Sequence, residues 1–318
     1  MASSSAFPVL ATAIGDQLDV ACRAASDPGP DGIHDLRVST RRLRAALELW
    51  LENAPGKRLD RCRKRFKRLG RRLGSVREAD VNIEGLADLA LGRPSDAIAI
   101  EFLAASVTRE RKRRARRLRQ EQERSDLPGL SQEIRSELGE RLDSEAEPVS
   151  VAAVARRELA RRLPALEALL ETALREPSAP ALHRLRIGLK KFRYSVELCA
   201  PAYDGRRLPP LVGRLKALQD ALGAAQDARA LHDVFAKRRL ELREEGLANA
   251  ERSLLAPMRA VAAILRNRRE AARRELESSR QERFLSGFET ALVGAAGARA
   301  GAGSRRSYTG GRAASARP

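Results

Sequence analysis

Two stretches of this chain hold the residues best suited to chemistry. In HDLRVSTRRLRAALELW (34–50), His34, Arg37, Arg41 and Arg44 recur at spacings of three or four. At about 100° per residue, a helix gathers them into one polar stripe. Leu36, Leu43, Leu47 and Trp50 make an apolar stripe roughly a third of a turn away. The pattern returns in HRLRIGLKKFRYSVELC (183–199), displaced by 149 residues from His34 to His183. There His183, Arg186, Lys190 and Arg193 repeat the polar stripe, and Leu185, Phe192, Val196 and Cys199 repeat the apolar one.

From His34 to Arg44 a helix rises about 15 Å, so four donors form a linear track and not a closed pocket for one small molecule. Arginine forks grip phosphate oxygens two at a time, and lysine adds point charge. An isolated basic stripe is ordinarily a solvated face paired with acids on the next helix. The duplication argues otherwise here. Asp35 gives way to Arg184 and Thr40 to Leu189, whereas the histidine and the three cations keep their places.

Further cations extend the track. Arg42 and Lys191 adjoin the stripes. Arg65, Lys67, Arg214 and Lys216 follow on the next helix of each copy. Arg109, Lys112 and Arg116, with Arg266 and Arg273, lie in long basic segments. Part of this charge is solvated surface. Arg77, Glu78, Asp80 and Asp227, in READ (77–80) and QDAR (226–229), read as structural groups that cap helices or pair with basic faces.

The elements that carry these residues are helical. The 318 residues are rich in Ala, Leu, Arg and Glu and poor in aromatics (3%), which favours an all-α fold. A net charge of +19 favours a polyanionic partner: nucleic acid, anionic lipid or a phosphate polymer. Cys22, Cys62 and Cys199 sit in apolar stripes and read as buried small hydrophobes in a reducing compartment. No apolar run reaches the 18 or so residues of a membrane span, and Asp16 interrupts the N-terminus. The expected location is cytoplasmic, with no membrane partner.

In chain order, a helix over 7–26 precedes the turn SDPGPDG, and the His34 helix stops at Pro55-Gly56. A third helix is expected from about Lys57 to Leu73, and a fourth from there to Gly92-Arg93-Pro94. A long helix runs from Ser95 to about Arg124, and Pro128-Gly129 breaks the chain before a short amphipathic piece. SEAEPVS (144–150) joins the copies. The second copy opens with a helix over 148–175, then the His183 helix, then a break at PAYDGRRLPP. The same displacement pairs Leu73-Gly74 with Leu222-Gly223, and TRERKRRARRL echoes LRNRREAARREL at an offset of 157, from Thr108 to Leu265. The expected architecture is two helical bundles related by a pseudo-two-fold, 1–145 and 146–295, enclosing a basic groove. The Gly-, Ala- and Arg-rich tail, 296–318, is expected to be disordered.

Catalytic signals are missing. There is no glycine loop ending in Lys-Ser or Lys-Thr, no HExxH and no CxxC, so neither an enzyme nor a cofactor is expected. A metal site would need further ligands at suitable spacing, and each motif histidine is flanked by cations that would repel one. The sequence alone reaches an extended polyanion, the histidines either donating to phosphate or bonding a neighbouring helix.

HxxRVxxRRxR (34–44), its degenerate copy HxxRIxxKKxR (183–193) and LGxxREADV (73–81) resemble the CHAD family over about residues 6 to 295. That resemblance implies two pseudo-symmetric helical bundles around a basic channel. It also implies binding of inorganic polyphosphate, without catalysis, at intracellular polyphosphate granules. The family's usual Arg-Asp after Leu-Gly is Arg77-Glu78 here and Gln226-Asp227 in the second copy. The rival readings are a nucleic-acid-binding protein and a regulator of a phosphate-polymer enzyme.

Overall fold

Strong helix formers fill this chain, so local turn chemistry decides where each helix starts and stops. The computed structural model describes residues 5–27, 29–90, 97–143 and 149–292. Among them no strand forms, and only two isolated β-bridges join extended residues. The first copy contains α1 (Ala6–Ala25), α2 (Pro30–Asn53), α3 (Lys57–Ala90), α4 (Ala97–Ser125) and α5 (Leu127–Asp143). The second contains α6 (Val151–Arg175), α7 (Ala179–Leu198), α8 (Leu208–Glu244), the short α9 (Ala248–Ser253), α10 (Leu255–Gln281) and α11 (Gly287–Ala291).

The helix starts follow capping rules. Ser150 accepts from the Ala153 N–H at 3.1 Å to open α6, and Ser178 accepts from the Ala181 N–H to open α7. Pro30 stands first in α2, where its missing N–H costs nothing. Gly32 is required by contact: a Cβ there would lie 2.3 Å from the Asp27 carbonyl oxygen.

Two expected breaks do not occur. The chain does not divide near Leu73; α3 runs unbroken for 34 residues, and α8 for 37. A glycine inside a helix costs about 1 kcal/mol. Gly74 is carried through because Leu73 and Val76 on either side are fully buried. The second miss concerns Pro128-Gly129, which lies inside the first turn of α5. The break falls at Asp126, whose φ of 39° turns the chain and whose carboxylate accepts from the Gly129 N–H at 3.2 Å. The expected helix end at 92–94, the Ser95 start, most of the 144–150 joint and the 296–318 tail lie outside the described residues.

The duplication holds at the level of burial. Leu36 and Leu185, Leu43 and Phe192, Leu47 and Val196, and Trp50 and Cys199 are all buried. In the last long helix the buried positions favour a register of 158 over 157. It matches Leu103 to Val261 and Leu118 to Leu276, all buried. The 157 alignment followed arginines, which are less tightly fixed by packing than leucines.

Helices pack in sequence within each copy, α1 on α2, α2 on α3 and α3 on α4, then α6 on α7, α7 on α8 and α8 on α10. Between copies, α2 meets α7, α3 meets α8 and α1 meets α6. Each of these contacts joins a helix to its own duplicate, as a two-fold axis between the copies requires. One main core runs through both copies, with Trp50, Phe66, Phe192 and Phe288 fully enclosed. A smaller core lies where the far ends of α3 and α8 cross, around Leu86, Leu103, Leu231 and Phe235. Gly85 allows that crossing, because a Cβ there would sit 3.0 Å from a Leu231 methyl. Cys62 and Cys199 are buried in the main core, and burial raises their thiols to about 11 and about 12. The expectation of small buried hydrophobes fits both, while Cys22 is only partly covered.

Glu158, 4% exposed, ties α6 to α7 by accepting from Arg161, Arg162 and the Ser195 hydroxyl, the last at 3.1 Å. Arg161 also reaches Glu52 on α2 at 2.8 Å, linking the copies. Truncating one member of a buried charged network leaves the others desolvated and unpaired. Glu158→Ala is expected to lower stability by about 3 kcal/mol. Glu110→Ala, which removes exposed pairs to Arg113 and Arg114, is expected to cost under about 1 kcal/mol. Urea denaturation followed by circular dichroism measures both, and equal losses would contradict this ranking.

Candidate functional site

The α2–α7 contact brings the two polar stripes together. Arg37 and Arg41 from α2 act electrostatically on Arg186 and Lys190 from α7, and the reverse. Burial, with Arg41 and Arg186 nearby, lowers the Arg37 guanidinium to about 10. Arg186 is also lowered, first by burial, while Asp227 opposes the shift. Lys190 is moved most. Burial comes first, then Arg186, Arg41, Arg37 and Arg193, and together they bring its amine to about 7.

Hydrogen bonding explains why these shifts persist. The Nε atoms of Arg37, Arg41, Arg44, Arg186 and Arg193 are buried and have no acceptor among the described residues. Elsewhere the arginines are mostly partnered, as in Arg111–Asp80 at 2.7 Å, Arg229–Asp233 at 2.8 Å and Arg135–Asp19 at 2.8 Å. Arg193 is an intermediate case, 3.3 Å from Glu197 without hydrogen-bond alignment and 5.4 Å from the centre of the Tyr194 ring. Buried donors normally find acceptors, so five in one stripe need an explanation.

Neighbouring helices shape the stripe. A Cβ at Gly223 on α8 would lie 3.4 Å from an Arg186 guanidinium nitrogen, so the Leu-Gly step gives that side chain room. Gly70 on α3 similarly lies against Thr40 and Arg44. Arg44 is lowered by burial and by Arg63 and Arg71, against Glu48, which continues the cationic row along the α2–α3 seam.

The histidines lie at the more exposed ends. His34 is held below its usual pKa by partial burial, then by Arg77, Arg41 and Arg37, while Asp35 pulls the other way. His183 lines a cavity of about 50 Å³ with Gln226, Arg229 and Arg269. At the corresponding positions of the first copy, Arg111 donates to Asp80 at 2.7 Å. Arg229 stands where Asp80 would be repeated, so the second copy cannot form that pair.

Sequence reasoning missed three contributors. Arg77 donates to Glu84 at 2.9 Å, yet it is also the strongest single charge on His34 and acts on Arg37 and Asp227. Asp227 lies among Arg186, Lys190, Arg77 and Arg37, and burial raises its carboxyl despite them. Tyr194, 6% exposed, adds an aromatic edge beside Arg37 and Arg186. A continuous α3 would have exposed the first of these, since Gly70 and Arg77 are seven residues apart on one face.

The outlying cations are placed differently. Arg65 donates to the Ser125 carbonyl at 2.6 Å and pairs with Glu133. Arg214 pairs with Glu282 and lies over Phe284, and Arg273 pairs with Glu277 at 2.9 Å. Lys67, Arg109, Lys112, Arg116, Lys216 and Arg266 are exposed, as are Arg42 and Lys191 beside the stripes. None of them is a principal charge acting on Arg37, Arg186 or Lys190. The structure therefore does not bring them into the central cluster, because packing fixes only the stripe facing the other copy. Among the described residues no group of three or more His, Cys, Asp or Glu could hold a metal, and no helix is long and apolar enough to cross a membrane.

A duplicated helical bundle with a cationic seam at its pseudo-two-fold contact defines an all-α class of protein. A family model described as the CHAD domain matches residues 12–236, and the chain belongs to that family. The fold is similar to a crystal structure of the CHAD domain from the plant Ricinus communis, at 22% identity and a TM-score of 0.63, covering 83% of this chain and 93% of that one. It is also similar to PptA from Streptomyces chartreusis, at 19% identity and a TM-score of 0.59, covering 87% and 100%. No curated protein matches the chain.

Crowded, unpaired cations oppose folding, and the sign follows from Lys190. Its folded pKa lies below the unfolded value of about 10.4, so the unfolded chain binds more protons between about pH 7 and 10. This group's contribution to stability therefore improves as pH rises through that window. Lys190→Met is expected to stabilise the empty protein by about 1 kcal/mol at pH 6.5, with the gain vanishing near pH 10. Thermal unfolding across pH tests this, and a destabilised variant at pH 6.5 would contradict the crowding.

Proposed function

We propose that the α2–α7 stripe binds inorganic polyphosphate, as a binding module without catalysis of its own. Membership of the CHAD family, associated with polyphosphate binding, supports the choice of polymer. The observation that carries the reading is the set of buried arginine Nε groups without a hydrogen-bond acceptor, on Arg37, Arg41, Arg44 and Arg186 and, beside Glu197, on Arg193, shared between two helices. Each guanidinium has donors left for phosphate oxygens, and a chain of phosphates would supply the missing acceptors along a line. His34, Arg37, Arg41, Arg44, His183, Arg186, Lys190 and Arg193 form the contact row in this reading, with Arg77 beside it. The exposed cations Arg42, Lys67, Arg109, Lys112, Arg116, Lys191, Lys216 and Arg266 serve as an attracting field for the approaching polymer. Association with intracellular polyphosphate granules would follow from the same affinity.

The test is a titration of labelled long-chain polyphosphate at about 0.15 M salt. Changing Arg37, Arg41, Arg186 and Lys190 together to Ala is expected to weaken binding by at least about 100-fold and to flatten its salt dependence. Unchanged affinity would remove the stripe from the site. Nucleic acid is the competing polyanion. Duplex DNA or RNA at equal phosphate concentration is expected not to displace the polymer; full displacement would favour general polyanion binding.

Binding should also take up protons. A polyanion favours the charged forms of Lys190 and His34, whose free pKa values lie at about 7 and below the usual 6.5. Affinity is expected to rise as pH falls from about 8 to 6 and to level off below the His34 pKa. Isothermal titration calorimetry in buffers of different ionisation enthalpy measures the proton uptake. A pH-independent affinity would exclude both groups from contact.

A further inference from the structure

Away from the stripe, residues of α3, α4 and α8 enclose a cleft of about 340 Å³ beside the smaller core. No residue of the stripe lines it. Leu103, Val107 and Val234 supply an apolar lining, and four cations, Arg113, Arg114, Lys237 and Arg238, stand against two carboxylates, Glu110 and Glu241. Asn82 also lines the cleft; it is 6% exposed, and its Oδ1 is buried with no donor among the described residues. Arg238 lies 5.0 Å from the centre of the Phe102 ring and donates through Nη1 to Glu241 at 3.0 Å, while its buried Nε has no acceptor among them. An orphan acceptor and an orphan donor therefore share one cavity, where buried polar groups are ordinarily paired.

The duplication provides a comparison inside the same chain. The displacement of 149 puts Leu231 at the place of Asn82 and Leu89 at the place of Arg238, and the register of 158 puts Ile264 at the place of Ser106. Leu231 is buried and comes close against Gly85, and Leu89 packs on the smaller core. Packing at this crossing is thus met by leucine in one copy, and it does not call for an amide or a guanidinium in the other. Both polar groups stand where they cost stability unless a ligand pairs with them.

We infer that this cleft binds an adenine nucleoside monophosphate, with the base inward and the phosphate at the rim. Polyphosphate offers acceptors alone and cannot satisfy Asn82. The amino edge of adenine offers both kinds of group: N6–H donates to the Asn82 oxygen, and the adjacent ring nitrogen accepts from the Arg238 Nε. The terminal torsion of asparagine is broad and two-fold, so the oxygen turns toward the base at little cost. Leu103, Val107 and Val234 cover the ring, and the volume falls within the range of about 300 to 1,000 Å³ usual for small-molecule sites. Lys237 and Arg113 are 80% and 69% exposed and pair along their own helices with Glu241 at 3.8 Å and Glu110 at 2.8 Å. Exposed pairs of this kind hold weakly, so a phosphate takes their place readily. This inference does not rest on the polyphosphate reading.

The experiment titrates AMP into the full-length protein by isothermal titration calorimetry at about 0.15 M salt. One site is expected to saturate below about 1 mM. IMP, which presents a carbonyl and a ring N–H on that edge, is expected to bind at least about tenfold more weakly, as is AMP to Asn82→Leu, which copies the second copy's residue. Lys237→Ala, at an exposed position that folding does not depend on, is expected to weaken AMP by several-fold and leave adenosine unchanged. The variant with Arg37, Arg41, Arg186 and Lys190 changed to Ala is expected to bind AMP within about twofold of the wild type, because the stripe is elsewhere. Absence of saturation by about 1 mM would overturn the inference, as would equal affinity for AMP and IMP. Displacement of AMP by an equal concentration of inorganic phosphate would do so too. Loss of AMP binding in the stripe variant would place the nucleotide among the stripe cations and remove the cleft as its site. Unchanged AMP affinity in an Asn82→Leu protein with wild-type circular dichroism would remove it as well.

Discussion

The constraint on which this structure depends is positive charge held in place with little compensation. Two helices bury their apolar faces in the main core, and that burial brings their polar stripes together. The driving force is ordinary: Leu36, Leu43, Leu47 and Trp50 on one side, Leu185, Phe192 and Val196 on the other, all enclosed. At about 25 cal/mol per Å² of apolar surface, each such side chain contributes about 1.5 to 3 kcal/mol. The cations gain nothing comparable in the empty molecule, and their Nε groups lack acceptors. The apolar faces therefore carry the stripe into a place that electrostatics alone would not choose. Stability given up in this way is characteristic of binding sites, where the ligand supplies the missing partner.

The same constraint explains the glycines and the long helices. Guanidinium groups need width, and at the α2–α7 crossing it comes from the helices behind. Gly223 on α8 leaves space at Arg186, and Gly70 on α3 does so beside Arg44. Both glycines lie inside helices, where they weaken the local backbone by about 1 kcal/mol each. Continuous α3 and α8 tolerate them because buried apolar residues anchor each helix on both sides, Leu69 and Leu73 in one, Leu222 and Ala225 in the other. An interruption at either glycine would have let Arg77 and Asp227 swing away from the site.

Much of this was legible in the sequence. Helix period, the repeated motif and the apolar stripe gave the fold class, the duplication and the pairing of His34 with His183, since all depend on spacing within a helix. What escaped depends on contacts between helices. Leu-Gly looked like a boundary because glycine is read locally, whereas tertiary packing overrides local propensity. Pro128-Gly129 looked like a break because the φ of Asp126, which makes the actual break, has no sequence signature of comparable strength. Among the cations, charge gave no ranking. Arg65, Arg214 and Arg273 matched the pattern as well as Arg41 did, but each found a partner in Glu133, Glu282 or Glu277. Only three-dimensional neighbours separate an arginine that is satisfied from one that is not.

Symmetry bears on what kind of polymer suits such a row. A site built from a helix and its duplicate presents equivalent donors in both directions along its length. A phosphate polymer with identical repeats and equivalent ends also reads alike in both directions, so either orientation makes the same contacts. A single nucleic-acid strand has a chemical direction and bases that need stacking partners, and aromatics are only 3% of this chain. The departures from symmetry lie beside the row more than in it. Lys190 replaces Arg41, which keeps the charge type, whereas Gln226 replaces Arg77 and Arg229 replaces Asp80 at the flanks. Those flanks differ between the copies: an Arg111–Asp80 ion pair forms in the first, and a cavity lies beside His183 in the second. Duplication accounts for the row, and the different residues on the flanking helices account for why its two ends are not alike.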